Sequence, residues 1–178
     1  MLALLACTSA SAQHVACPDL QALLSTADAE FAPFRGKLNV SVMPGAAVPM
    51  PAVVPALLNF EEHVYETTRP LRGASHCEIR IARMKDDAAA LRLASYRCRW
   101  SSSEAFAALK RSLAACIVNP VAREEDPESL RLYVQQVSSG EGHDTVFVSV
   151  ETDAAQAVML NVTRSVCLNR SPGGCDEA

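Results

Sequence analysis

Cys77-Glu78-Ile79-Arg80-Ile81 and Ala94-Ser95-Tyr96-Arg97-Cys98 decide the fold. They sit symmetrically about the polar step Lys85-Asp86-Asp87 and read as the arms of a β-hairpin over residues 75–100. Setting Cys77 opposite Cys98 places Glu78 against Arg97, Ile79 against Tyr96, Arg80 against Ser95 and Ile81 against Ala94. Side-chain alternation then gathers Cys77, Ile79, Ile81, Ala94, Tyr96 and Cys98 on one apolar face. Glu78 and Arg97 fall on the other face as an opposite-charge cross-strand pair. The same register sets Arg83 against Arg92 on the apolar side, so the pairing is expected to fray or bulge near the turn. A disulfide across this hairpin requires an oxidising compartment.

Cysteine usage elsewhere agrees with that compartment. Residues 1–12 carry no charge and close on Ala10-Ser11-Ala12, which reads as the end of a secretory signal. Cys7 could instead be the lipidated cysteine of a bacterial lipoprotein, but leucine directly before Ala6 fits that pattern poorly. Cleavage after Ala12 leaves six cysteines: Cys17, Cys77, Cys98, Cys116, Cys167 and Cys175. An even count in an exported chain suggests a disulfide framework. Cys167 and Cys175 flank a Ser-Pro-Gly-Gly turn and are expected to close locally, which leaves Cys17 and Cys116 for each other. Arginine outnumbers lysine 13 to 3, the bias of a GC-rich bacterial genome, and this tilts localisation towards the periplasm or the medium. Asn161-Val162-Thr163 is formally a glycosylation sequon, but it lies in an expected strand.

The 178 residues, 49% hydrophobic and 20% charged, suit one globular domain over residues 13–178. Pro18 and Asp19 suit a first helical turn, followed by Leu20, Leu23, Leu24, Ala27 and Phe31 at helical spacing up to Pro33. Leu38, Val40 and Val42 alternate as a short strand. No charged residue occurs from Leu38 to Phe60, and four prolines punctuate that run. Prolines at that density exclude a membrane-spanning helix and a central strand, so residues 44–59 form an extended apolar arm. A strand over 60–68, the hairpin, and a helix opened by a Ser101-x-x-Glu104 capping box follow. Phe106, Leu109, Leu113, Cys116 and Ile117 form the apolar face of that helix. Residues 123–128 read as an acidic surface linker. Leu130, Leu132 and Val134, then Val146, Val148 and Val150, then Val158, Leu160 and Val162 alternate as strands before a cysteine-closed tail at 167–178. The plan is α+β, with two helices packed on a mainly antiparallel sheet and a disulfide-braced core; no internal repeat is detected in the sequence.

Chemistry is sparse. His76 adjoins Cys77, but strand neighbours point to opposite faces and cannot form a dyad. His143-Asp144 has no serine or cysteine in a nucleophile elbow beside it. The cysteines and histidines lack metal-ligand spacing, with only His63 and His76 placed to meet across strands, and there is no phosphate loop. Glu61-Glu62 reads as solvated surface. No catalytic residue, metal or cofactor is assigned. Charge is polarised: residues 69–111 carry +6 and the rest −10. Nucleic acid is a poor match for an exported, net-acidic chain with few aromatics.

The composition therefore favours a non-enzymatic exported module that binds another protein, most concretely an inhibitor or immunity-type protein against a secreted toxin or cell-wall hydrolase. Its contact residues are expected on the hairpin, at Arg97, Arg99 and Trp100, and on the arm, at Met50, Val53 and Val54. An envelope hydrolase and a carrier of a small apolar ligand are the competing classes.

Overall fold

Among the described residues eight strands join one sheet, most of them built on alternating apolar and polar side chains. The structure, a computed structural model, describes residues 15–42, 60–85, 89–139, 141–153 and 155–169. Helix α1 (Cys17–Thr26) precedes strands β1 (Arg35–Val42), β2 (Phe60–Thr67), β3 (His76–Lys85) and β4 (Ala89–Trp100). Helix α2 (Glu104–Cys116) precedes β5 (Ala122–Glu125), β6 (Ser129–Ser139), β7 (Gly142–Thr152) and β8 (Val158–Asn169). The strand order is β1-β2-β3-β4-β8-β7-β6-β5, and every pairing is antiparallel. Each half is thus a helix followed by a four-stranded meander, and the halves meet where β4 pairs with β8. This architectural repeat leaves no trace in the residue pattern. The class is α+β, with the sheet dominant.

The hairpin pairs from His76↔Arg99 to Lys85↔Ala90 with Cys77 opposite Cys98. A Cys77–Cys98 disulfide joins its arms, and a Cys17–Cys116 disulfide joins the start of α1 to the end of α2. Cys167 is also disulfide-bonded, to a partner outside the described residues. Cys7, Cys175 and residues 1–12, 44–59 and 170–178 lie outside them too. Bridges of this kind point to an oxidising, extracytoplasmic environment. Among the described residues, no helix is long and apolar enough to cross a membrane.

The main apolar core of the described residues forms between the helices and one sheet face. Leu20, Leu23, Leu109 and Leu113 from the helices meet Ile79, Ile81, Tyr96, Trp100, Leu130, Leu132, Val148, Val150, Leu160 and Val162 from the strands. Tyr96 is fully buried, and its hydroxyl donates to the Arg69 carbonyl at 2.7 Å. Burial pushes this phenol up to about 12, so it remains protonated as a donor.

Several expectations need correction. Helix α1 stops at Thr26, whose hydroxyl turns back to the Ala22 and Leu23 carbonyls. Phe31 reaches the core through a turn in which Glu30 (φ 52°) and Phe31 (φ 59°) are left-handed, and its helical spacing was coincidental. The capping box does not form: Ser103 is the N-cap without a side-chain bond, and the Glu104 N–H donates to Ser102 Oγ instead. Residues 122–125 are an edge strand and not a linker. Glu124 accepts from the Tyr133 hydroxyl at 3.0 Å, and Glu125 pairs with Lys110 of α2 at 2.5 Å. Val134 is turned outwards by a bulge between Tyr133 and Gln135.

The expected fraying near the β3–β4 turn does not occur, and Glu30 supplies the reason. Arg83 and Arg92 do face each other on the helix side, but the Glu30 carboxylate lies between them and also receives Arg35 at 2.9 Å. Burial pushes the Glu30 carboxyl up, yet the Arg92 and Arg35 hydrogen bonds and the Arg83 charge outweigh it and hold it below the usual range. Folding lowers this pKa, so the stabilisation is present above the unfolded-state value of about 4.3 and is lost as pH falls through the folded value. Glu30→Gln should cost about 2 kcal/mol at pH 7 in urea denaturation, with the deficit shrinking below about pH 4. A deficit that stays constant with pH contradicts the ion-pair account.

Candidate partner-binding face

The sheet face opposite the helices carries Glu78, Arg80, Arg97, Arg99 and Glu151. Because Cys98 and Trp100 point into the core, Arg97 and Arg99 must point away from it. Trp100 is 1% exposed and packs with the core, which removes it from the expected contact surface. Met50, Val53 and Val54 lie outside the described residues. Of the residues expected to bind a partner, Arg97 and Arg99 are therefore the pair that the structure places together on an open face.

They line a groove of about 380 Å³ with Glu78, Glu151, Asp153 and Met159. Strand β3 supplies Glu78, β4 Arg97 and Arg99, β8 Met159 and β7 Glu151, with Asp153 just after β7. Arg99 is anchored: its Nη2 donates to Asp153 Oδ2 at 2.9 Å, while Asp153 Oδ1 accepts the Ala155 and Ala157 amides of the β7–β8 turn. Arg97 is different. Its Nε donates to the neutral Asn161 Oδ1 at 3.1 Å, and among the described residues it has no carboxylate within salt-bridge distance.

The expected Glu78–Arg97 ion pair explains this difference by failing to form. The two residues face each other across the ladder, but Glu78 turns along its own strand to Arg80 at 2.5 Å and to His76 at 3.3 Å. Burial pushes the Glu78 carboxyl up, and the Arg80 and His76 hydrogen bonds bring it below the ordinary range. Glu151 accepts instead from the amide of Asn161, which also donates to Ser149 Oγ. Asn161 is 7% exposed, so the formal sequon sits inside the sheet's hydrogen-bonding pattern. Further along the same face, Arg131 lies 4.9 Å over the Phe147 ring, beside Tyr133.

Among the described residues, His63 does not meet His76 and Asp144 does not orient His143. His63 pairs with Ile81 on the helix side, and His76 pairs with Arg99 on the open side, so the two cannot converge. Asp144 is gripped by Arg164 at 3.0 and 2.6 Å and does not orient His143. The Arg164 hydrogen bond holds the Asp144 carboxyl below its usual range. No group of three His, Cys, Asp or Glu with metal-binding geometry occurs among the described residues.

One constellation escaped the sequence reading. Ser41 Oγ lies 2.9 Å from His63 Nδ1, and His63 Nε2 lies 2.5 Å from Glu61 Oε1. Glu61 and His63 share a face because they are two residues apart on β2, and Ser41 stands opposite His63 on β1. The Glu-x-His spacing is visible in the sequence, but the facing serine depends on a register across the proline-rich connection. Comparison with protein-family models, curated proteins and solved structures finds no match.

The contrast within Arg97-Cys98-Arg99-Trp100 is directly measurable. Trp100→Ala should cost about 3–5 kcal/mol in chemical denaturation, whereas Arg97→Ala should stay within about 1 kcal/mol of the parent. Equal losses at both positions contradict the assignment of Trp100 to the core and Arg97 to the open face.

Proposed function

We propose that the chain is an exported protein-binding module, working in the periplasm or outside the cell, that holds a partner protein against its open sheet face. An inhibitor or immunity-type protein acting on a secreted toxin or cell-wall hydrolase is the most concrete form of this reading. The observation that carries it is Arg97: a half-buried guanidinium in a groove, bonded to a neutral amide and left without a carboxylate among the described residues. Arginine in such a setting favours a planar carboxylate from outside, since a bidentate pair satisfies donors that one amide oxygen cannot. The partner is thus expected to present an Asp or Glu side chain on a protruding loop. Export is supported by the signal-like residues 1–12 and by the disulfides, and the two bridged elements give the face a rigid backing.

The test is a matched capture from bacterial envelope extract on immobilised parent and Arg97→Glu proteins, followed by identification of retained proteins and measurement of each Kd. A partner whose affinity falls at least tenfold in R97E, at an unchanged melting temperature, supports the reading. Inhibition of that partner's peptidoglycan-cleaving or toxic activity supports its inhibitor form. Retention that is equal for both proteins, or absent for both, overturns it.

A further inference from the structure

We infer that Ser41, His63 and Glu61 form a second site, independent of the Arg97 groove, in which Ser41 is a nucleophile towards acyl esters. The hydrogen bonds select one tautomer of the neutral ring. Glu61 accepts from His63 Nε2, so the ring proton resides on Nε2, and Nδ1 presents its lone pair to the Ser41 hydroxyl 2.9 Å away. This is the order of nucleophile, base and orienting carboxylate that activates a serine, here with the two ring nitrogens exchanged.

The placement is set by the backbone. Antiparallel register puts Ser41 opposite His63, and the strand period puts Glu61 on the same side as the ring. Tyr65, next along that face, stands 6.3 Å from the imidazole and is itself covered by the Arg35 guanidinium at 5.4 Å. The His63 side chain is only 16% exposed, whereas Ser41 is open to solvent. The base is therefore held, and the nucleophile can be reached. Strand β1 is also a sheet edge, so one row of its backbone N–H groups has no strand partner among the described residues.

The reaction balances without a co-reactant other than water. Ser41 Oγ bonds to the acyl carbon and its proton passes to His63 Nδ1. The ester C–O bond then breaks, and the alkoxide leaves with that proton as an alcohol. Water gives a proton to Nδ1 and attacks the acyl-serine. The carboxylic acid leaves, and the proton returns to Ser41. Glu61 acts as a positioning residue through the ring.

The full chain should be incubated with a fluorophosphonate probe and, separately, with p-nitrophenyl acetate. A covalent adduct mapped to Ser41, absent in Ser41→Ala and slowed at least tenfold in His63→Gln, supports the site. Ester turnover should fall about a hundredfold in both variants, and Glu61→Asp should recover part of the rate that Glu61→Gln loses. Ser41 is exposed, so its alanine variant should melt as the parent does. Arg97→Glu should label normally, which separates this site from partner binding. A folded parent that gives no Ser41 adduct, or turnover that survives Ser41→Ala, overturns the inference.

Discussion

The pairing of β4 with β8 is the interaction on which the remaining structure depends. Twelve consecutive residue pairs, from Ala89↔Asn169 to Trp100↔Val158, join the last strands of two successive helix-plus-meander halves, strands that are themselves far apart in the chain. Without that seam each half would be a four-stranded sheet with an open edge through its most apolar strand. Trp100, Cys98 and Tyr96 on β4 would lose Val158, Leu160 and Val162 on β8, which together form the middle of the core. The Cys17–Cys116 bridge repeats the connection in the helical layer, across a sequence separation of 99 against 21 for Cys77–Cys98. In the chain-entropy description the longer loop constrains the unfolded chain more.

The two faces of the sheet then divide the work. On the helix side, apolar packing gives way towards the β3–β4 turn to arginines gathered around one buried carboxylate, Glu30. That arrangement leaves a local backbone cost in two successive left-handed residues, which the surrounding ion pairs offset. On the open side, Glu78 is drawn to Arg80 and His76, Asp153 to Arg99 and Glu151 to Asn161, and Arg97 is left with a neutral amide. The unequal distribution of partners, and not the net charge, is what leaves Arg97 without a carboxylate among the described residues.

Local features of this fold were legible from the residues, and long-range ones were not. The hairpin register followed from alternation plus two cysteines, because a strand period of two and a cross-link admit little else. The apolar face of α2 was equally plain. The acidic strand β5 is not legible because a charged edge strand and a solvated linker share a composition; its carboxylates are held by Lys110 of α2 and Tyr133 of β6. Trp100 was misassigned although the information was present: it is two residues from Cys98, and so shares its face. The Ser41–His63–Glu61 chain and the β4–β8 seam were out of reach, since each depends on a register across a long connection that no local pattern specifies.

Native-state hydrogen exchange, resolved by residue, tests the central claim most directly. If one cooperative sheet is joined at β4 and β8, amides of Tyr96, Cys98, Leu160 and Val162 should exchange slowest, at a single free energy equal to that of global unfolding. The β1 and β5 edges should open earlier. Faster exchange along β4 and β8 than in the middle of either half, with two separate opening energies, would contradict the account and describe two independently folding units.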